Sequence, residues 1–194
     1  MRLSKRRKQS GFSLVEVMVS VLVTSVSVLG VAGMQVTSKR AGYEAIQRTT
    51  ATAMTTDMLE RMRSNPHALD NYIAAQLGGG TITAEPVPRC TNNTTDACTD
   101  VQLASRDLWE WEQALDGNDE TREVSGSDVA TGGLLNPTGC IAVSGGEVTV
   151  TVAWQGQEAL SNPGGNTCGA GLSRYGSADE QRQLLSVSTF ITDG

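Results

Sequence analysis

The chain has 194 residues, a length that suits one folded domain plus an additional terminal segment. Five of its 15 basic residues lie within the first eight positions, whereas the part from Phe12 onward has 10 basic and 21 acidic residues. A body with this acidic balance repels nucleic acid and anionic lipid, so the composition argues against both as binding partners. The same asymmetry predicts a short cytoplasmic N-terminus followed by a translocated body.

An uninterrupted apolar run follows the basic stretch, from Phe12 to Met34, and Glu16 is its only ionisable residue. As a helix this run would span about 34 Å, which is enough to cross a bilayer. A cleaved secretory signal has a shorter apolar core and a small-residue cleavage site after it, and neither feature occurs here. We therefore predict a membrane anchor. An ionised group inside such a segment is costly, so the presence of the Glu16 carboxylate needs a functional explanation.

A single helix is predicted from Phe12 to Ser64, because one glycine and no proline occur between Lys39 and Pro66. Proline disfavours helix at the residue before it and therefore ends the segment. On this helix, five residues that recur every four positions predict one face that is buried against a sheet. Thr55 lies on the opposite side of the helix. The predicted face consists of Ile46, Thr50, Met54, Met58 and Met62.

A second amphipathic helix is predicted to begin at Thr99 or Asp100 and to end at Gly117. Its apolar residues follow a 3-4-3-4 spacing. Trp111 lies on this stripe, whereas Trp109 lies off it and is a candidate for an exposed contact. The stripe consists of Val101, Ala104, Leu108, Trp111 and Leu115.

Alternating apolar and polar residues predict a hairpin from Ile141 to Trp154, with its turn at residues 144–146, and a last strand from Leu184 to Thr192. Less regular segments predict a short helix at 67–77, a short strand at 81–83, and loops at 117–139 and 155–180. A long helix combined with an antiparallel sheet is an α+β arrangement.

All four cysteines, Cys90, Cys98, Cys140 and Cys168, follow the anchor. None forms a C-x-x-C pair, which favours two disulfides in an oxidising compartment over a zinc site. Three pairings are possible. We favour Cys90–Cys98, which closes a short loop, and Cys140–Cys168, which ties a strand to a later loop. Four buried thiols are the alternative.

No residue set typical of an enzyme is recognisable. The single histidine, His67, follows a helix-ending proline, and the glycine clusters lack the context of a phosphate loop. The acidic run at 116–120 does not match the spacing of a calcium loop, and a solvated loop explains it better. We expect neither enzymatic activity nor a cofactor or metal.

The basic leader, Gly11, Phe12 and Glu16 resemble the class III signal of type IV prepilins and pseudopilins. The resemblance implies cleavage between Gly11 and Phe12 by prepilin peptidase and N-methylation of Phe12. It also implies an assembly role for Glu16, whose family counterpart is thought to pair with the new amine of a neighbouring subunit. The implied fold is pilin-like, with a long N-terminal helix packed on a C-terminal antiparallel sheet. Its segments would be a leader at 1–11, a transmembrane and assembly half of the helix at 12–34, a soluble half at 35–66 and a periplasmic domain at 67–194.

Two further stretches are similar to minor pilins of the PilV type. Residues 60–66, ERMRSNP, resemble the ERxRxNP signature of that group. Asp107, Leu108, Trp111 and Leu115 resemble its D-L-x-x-W-x-x-x-L pattern. Residues 135–139 match the later L-P-x-G pattern only in part, because Asn136 separates Leu135 from Pro137, with Gly139 following.

This resemblance implies a minor pilin that joins a priming or tip complex and promotes type IV pilus assembly. Its partners would be prepilin peptidase, other minor pilins, the major pilin and a tip adhesin, with no nucleic acid. The chain would lie in the inner membrane with a periplasmic body, and then in an extracellular pilus. One alternative is a minor pseudopilin of a type II secretion system, and another is a membrane-anchored periplasmic enzyme or binding module.

Overall fold

A computed structural model of the chain describes residues 11–90, 97–118 and 120–192. These residues form two α-helices, a short 3-10 helix and six β-strands. The bounds are α1 Leu14–Ser64, the 3-10 helix Pro66–Tyr72, β1 Ala74–Leu77, α2 Asp100–Asp116, β2 Thr121–Val124, β3 Ser127–Ala130, β4 Thr138–Ser144, β5 Glu147–Gln155 and β6 Arg182–Phe190.

The chain divides into two compact units, of which the first ends at Tyr43 and the second begins at Glu44. In the first unit, the apolar side chains of α1 from Leu14 to Val36 are all exposed. This helix is long and apolar enough to cross a membrane, and its position near the N-terminus fits a single-pass anchor.

The second unit contains a four-stranded antiparallel sheet with the strand order β1-β4-β5-β6. β4 and β5 form the predicted hairpin, which is closed by Gly145 and Gly146 between the paired residues Ser144 and Glu147. Both glycines have positive φ angles, of 58° and 84°, as a two-residue hairpin turn requires. A separate two-stranded hairpin, β2–β3, is exposed along its whole length.

The core of this unit lies between the C-terminal part of α1 and one face of the sheet. Met58 and Met62 of α1 and Val150 of β5 are fully buried in one apolar cluster, together with Trp111 of α2. The predicted α+β, pilin-like arrangement of a long N-terminal helix packed on an antiparallel sheet is therefore confirmed.

The predicted buried face of α1 is partly wrong. Ile46 is 63% exposed, whereas Thr55, which was predicted to face solvent, is fully buried. Thr55 tolerates burial because its hydroxyl donates to the carbonyl of Ala51 at 2.7 Å. The buried residues of α1 are Gln47, Ala51, Thr55, Met58, Leu59 and Met62.

The predicted helix α2 is confirmed, with a capping box at Thr99 and a left-handed Gly117 at its end. Trp111 is buried as predicted, but Val101 is 51% exposed and does not belong to the buried stripe. Trp109 lies off the buried face, where its ring stacks under the guanidinium of Arg106 at 4.6 Å.

Three predictions for irregular segments are wrong. The segment 67–77 is not one helix, because the 3-10 helix ends at Tyr72 and β1 then pairs with β4. No strand forms at 81–83. The predicted loop at 117–139 contains β2, β3 and the start of β4. In each case a tertiary contact or hairpin pairing outweighs weak local preference.

Candidate functional site

The segment before α1 carries the predicted processing site. Gly11, Phe12 and Ser13 are exposed and have no regular secondary structure. The helix then begins with backbone N–H groups of Glu16 and Val17 that donate to the carbonyl of Ser13, at 3.1 and 3.2 Å. A Cβ placed on Gly11 would meet no atom within 4 Å, so the described structure gives no packing reason for glycine here.

Glu16 lies in the first turn of α1, where a carboxylate is favourable to the helix dipole. The hydroxyl groups that follow it are satisfied within the helix, because each donates to the carbonyl four residues earlier. Among the residues that the structure describes, no cation lies within ion-pair distance of the Glu16 carboxylate. The satisfied hydroxyls are those of Ser20, Thr24, Ser25 and Ser27.

The two sequence motifs that resemble PilV-type minor pilins meet in one polar cluster between α1 and α2. Arg61 donates from Nη1 to Asp107 Oδ1 at 3.1 Å and to Glu110 Oε2 at 2.8 Å. Its Nε also donates to Asp57 Oδ2 at 2.8 Å. Because Asp107 is nearly buried, this contact is screened less than a surface ion pair would be. The arginine therefore connects the end of α1 to α2.

The same cluster includes the residues that follow α1. The hydroxyl of Tyr72 donates to Asp107 Oδ2 at 2.5 Å, and Asn65 donates from Nδ2 to the Tyr72 oxygen at 3.1 Å. Asn65 also donates to the carbonyl of Asp100 at 2.8 Å. Burial, and then the hydrogen bond to Asp107, raise the pKa of Tyr72 above its ordinary value. We call Arg61, Asn65, Tyr72, Asp107 and Glu110 the α1–α2 polar cluster.

The remaining motif residues pack beside this cluster. Trp111 is buried, and its Nε1 donates to the carbonyl of Met54 at 3.0 Å. A Cβ on Gly139 would lie 2.4 Å from the Trp111 ring and 2.9 Å from a methyl of Leu115. The glycine is thus required by close approach of β4 to the tryptophan. Trp111, Leu115 and Gly139 therefore pack inside the body.

We expect Asp107→Ala to lower the free energy of unfolding by about 2–4 kcal/mol, because it leaves the buried Tyr72 hydroxyl without an acceptor and removes one partner of Arg61. The measurement is urea unfolding of the full-length chain in detergent micelles. The control is Asp128→Ala on the exposed hairpin, for which we expect a change below about 0.5 kcal/mol. Equal stability of the two variants would contradict a structural role for the cluster.

Sequence reasoning missed a second polar site, at Glu112. Its side chain is fully buried, and its carboxylate accepts hydrogen bonds from the N–H groups of Gly78 at 2.9 Å, Thr81 at 2.5 Å and Ile82 at 2.7 Å. The hydroxyl of Thr81 also donates to it. Although burial alone would raise the pKa of Glu112, these hydrogen bonds lower it below the ordinary value.

Asp116, one turn later in α2, completes this arrangement by accepting from the N–H groups of Gly79 and Gly80. The run of three glycines, Gly78, Gly79 and Gly80, supplies these donors at positive φ angles. The signal that could have revealed the contact is the i, i+4 spacing of two carboxylates on α2. Asp116 therefore has a structural role.

Glu112→Gln should destabilise the body at neutral pH by about 3 kcal/mol, because the amide N–H₂ replaces one acceptor atom among the donors. Since the folded-state pKa of Glu112 is lowered, the stabilisation by its carboxylate is complete above the unfolded pKa of about 4.3 and is lost as pH falls through the folded value. The difference in unfolding free energy between wild type and variant should therefore shrink in acid.

Urea unfolding across pH tests this, with the exposed Glu123→Gln as the control. A difference that does not depend on pH would contradict it.

Both favoured disulfides, Cys90–Cys98 and Cys140–Cys168, are present in the structure. The first closes just before the N-cap of α2, and the second joins β4 to the loop before β6. Within the described residues, no group of three or more histidine, cysteine, aspartate or glutamate side chains could hold a metal ion. His67 lies in the 3-10 helix, and the acidic run is described except at position 119.

Two family models match the chain. The prokaryotic N-terminal methylation motif matches residues 6–32, and the model described as type IV pilin Tt1218 matches residues 33–109. The second match ends inside α2 and includes the ERMRSNP stretch. Neither the comparison with curated proteins nor that with solved structures gives a match.

Together, an N-methylation signal, an apolar N-terminal helix and a helix-on-sheet body define a protein of the pilin-like class. The two matches support a type IV pilin. These matches point to a structural protein rather than an enzyme. They also imply processing by prepilin peptidase and assembly with other pilins. The PilV type is not distinguished by these matches and stays a prediction.

Proposed function

We propose that the chain is a minor pilin of the PilV type that joins a priming or tip complex and promotes type IV pilus assembly. The observation that carries the role in a filament is Glu16, a lone exposed carboxylate in the first turn of an apolar helix, and the resemblance of residues 60–66 to the ERxRxNP signature favours the PilV type. A plain membrane anchor gains nothing from such a charge, whose insertion is costly. Gly11, for which the described structure gives no packing reason, supports a recognition role at the cleavage site.

Processing supplies the partner that Glu16 lacks. Prepilin peptidase cuts between Gly11 and Phe12 and N-methylates Phe12, which becomes the first residue of the mature chain. The new α-amine has an ordinary pKa of about 8 and is therefore mostly cationic at neutral pH. Before cleavage Gly11 and Phe12 are joined by an amide, so no cation exists there. Cleavage therefore enables assembly.

The Glu16 carboxylate then pairs with the Phe12 amine of a neighbouring subunit in the apolar filament core. Each charge buried alone would cost several kcal/mol, whereas the pair offsets much of this cost. A neighbour that packs out of register leaves both charges unpaired. The pair therefore selects the correct register of packing more than it adds stability.

The segments have separate roles in this proposal. Residues 12–34 anchor the chain in the inner membrane and later contribute to the filament core, and residues 35–66 continue the helix into the body. Residues 67–194 form the periplasmic domain, which becomes extracellular in the pilus. Partners are other minor pilins, the major pilin and a tip adhesin. A minor pseudopilin of a type II secretion system is the alternative, because it carries the same signal.

Deletion of the chain from its host cell tests the proposal and separates it from the alternative. We expect fewer surface pili, normal type II secretion, and recovery of pili when the full-length chain is restored. Detergent-solubilised full-length chain should also co-purify with other minor pilins. Normal pili together with defective secretion would support the pseudopilin role instead.

A further inference from the structure

Arg182, the first residue of β6, is a buried cation. It is only 3% exposed, and a guanidinium is not deprotonated in proteins. Among the residues that the structure describes, no carboxylate lies within ion-pair distance of Arg182. A buried cation without a counter-ion is costly unless hydrogen bonds replace its lost hydration. The acceptors around Arg182 therefore decide whether it is stable where it lies.

All five N–H groups of this guanidinium are used, and every acceptor is a neutral oxygen. Nε and Nη2 both donate to Asn162 Oδ1, at 3.1 and 2.8 Å, and Nη2 also donates to the carbonyl of Pro163 at 2.8 Å. Nη1 donates to the carbonyls of Asn166 at 2.9 Å and Cys168 at 2.7 Å. No donor is left over for an anion. The guanidinium instead holds one segment, residues 162–168, and its shortest hydrogen bond is to the backbone of a disulfide cysteine.

The sheet places Arg182 on the same face as the other cysteine of that disulfide. Arg182 pairs with Gln155 of β5, and Cys140 of β4 pairs with Thr151. Paired residues of antiparallel strands share a face, as do residues an even number of positions apart on one strand. Arg182 and Cys140 therefore lie on one face of the sheet, opposite to the buried Val150. This placement follows from strand pairing and needs no disulfide.

Asn166 attaches the same segment to this face a second time. Its Nδ2 donates to Thr151 Oγ1 at 3.1 Å, and its Oδ1 accepts from the N–H of Cys168 at 2.9 Å. Neither contact involves a sulfur atom. The segment is thus joined to the sheet by polar contacts that can form in the reduced chain as well as in the oxidised one.

Chain length alone does not bring Cys168 to Cys140. The two cysteines are 28 positions apart, against 8 for Cys90 and Cys98. In a flexible chain the probability of contact falls with about the 3/2 power of the separation, so the longer loop closes about sevenfold less often. A contact that holds Cys168 in place before the bond forms offsets this disadvantage.

We propose that Arg182 is a positioning residue for the Cys140–Cys168 disulfide and holds the thiol of Cys168 beside that of Cys140 in the reduced, folded body. A small oxidised disulfide, such as glutathione disulfide, then completes the bond. One cysteine thiolate attacks it and releases one glutathione, and the other thiolate displaces the second. Two electrons leave the cysteines, and the two thiol protons end on the two glutathione molecules. This role requires only the folded body and does not depend on pilus assembly.

The test is to equilibrate the full-length chain, in detergent micelles, with glutathione buffers of graded redox ratio. Alkylation of free thiols followed by mass spectrometry gives a separate equilibrium constant for each disulfide. Arg182→Gln should lower the constant of Cys140–Cys168 at least tenfold and leave that of the other disulfide unchanged. The control Arg122→Gln, on the exposed hairpin, should change neither constant.

This equilibrium constant separates positioning from a general contribution to stability. A substitution that destabilises the oxidised and the reduced folded body equally does not change the constant, because both sides of the equilibrium shift together. An unchanged constant for Cys140–Cys168 in Arg182→Gln would therefore overturn the proposal.

Hydrogen exchange of the Arg182 Nε–H, measured by NMR, tests the same proposal in case Arg182→Gln does not fold. The chain with both Cys140→Ser and Cys168→Ser has no covalent bond between the two segments. In this chain the Arg182 Nε–H should still exchange at least tenfold more slowly than that of the exposed Arg122, because Asn162 continues to accept it. Exchange as fast as that of Arg122 would show that the disulfide alone holds the segment and would overturn the proposal.

Discussion

The Gly11→Val variant is expected to remain at its full precursor length, whereas the wild-type chain is expected to lose residues 1–11. A Cβ at this position would meet no atom within 4 Å, and Gly11 lies outside α1. The substitution should therefore leave folding and membrane insertion intact. What it changes is the local shape that the peptidase must accommodate next to the cleaved bond. We expect complete loss of processing, and not a partial decrease.

The measurement is the intact mass of the chain isolated from cells that contain prepilin peptidase, which also reports N-methylation of Phe12. Gly42→Val is the matched control, because a Cβ at Gly42 likewise meets no atom within 4 Å. That control should be processed normally. Mature-sized protein from Gly11→Val would refute the assignment of the cleavage site.

Glu16→Ala is expected to be cleaved and inserted normally but to enter filaments at least tenfold less than the wild type. The variant leaves the Phe12 amine of a neighbour buried without a counter-ion, at a cost of several kcal/mol, and a factor of ten corresponds to only about 1.4 kcal/mol. Because no described residue forms an ion pair with Glu16, the variant should not disturb the fold of its own chain.

Quantitative immunoblotting of sheared filaments against the membrane fraction measures this incorporation. Glu16→Gln keeps the size of the side chain and removes the charge, so it should be as defective as Glu16→Ala. Glu60→Gln is the control, because Glu60 is an exposed carboxylate of the same helix whose contact is a surface pair with Arg63. Normal incorporation of both Glu16 variants would remove the assembly role of this residue.

The two largest expected effects both fall in the N-terminal segment, where the sequence already contained the necessary information. The signal, the anchor and the start of α1 depend on residues that are adjacent in the chain. The β4–β5 hairpin and α2 are likewise encoded locally, by a glycine turn and by a capping box. Short-range patterns of this kind can be read without knowing what the segment packs against.

Contacts between distant segments account for what sequence reasoning missed. Gln47 is buried on α1 because its side chain accepts from the N–H of Leu135, 88 residues away. Residues 74–77 form a strand because β4 is available to pair with them. Glu112 is buried as a carboxylate because the Gly78–Ile82 backbone supplies its donors. None of these partners follows from the periodicity of the segment itself.

The sequence alone therefore determined that this protein is a pilin-like chain with an N-terminal methylation signal and a long, initially apolar helix, because each of these depends on local pattern. It favoured two disulfides but left their pairing open, and the structure supplied the pairing. Only the tertiary structure decided which face of α1 is buried, that Arg61 and Asp107 belong to one internal cluster, and that Arg182 is buried against the segment that carries Cys168. Those outcomes depend on which donors and acceptors distant segments bring together, since a buried polar group is stable only where its hydrogen bonds are completed.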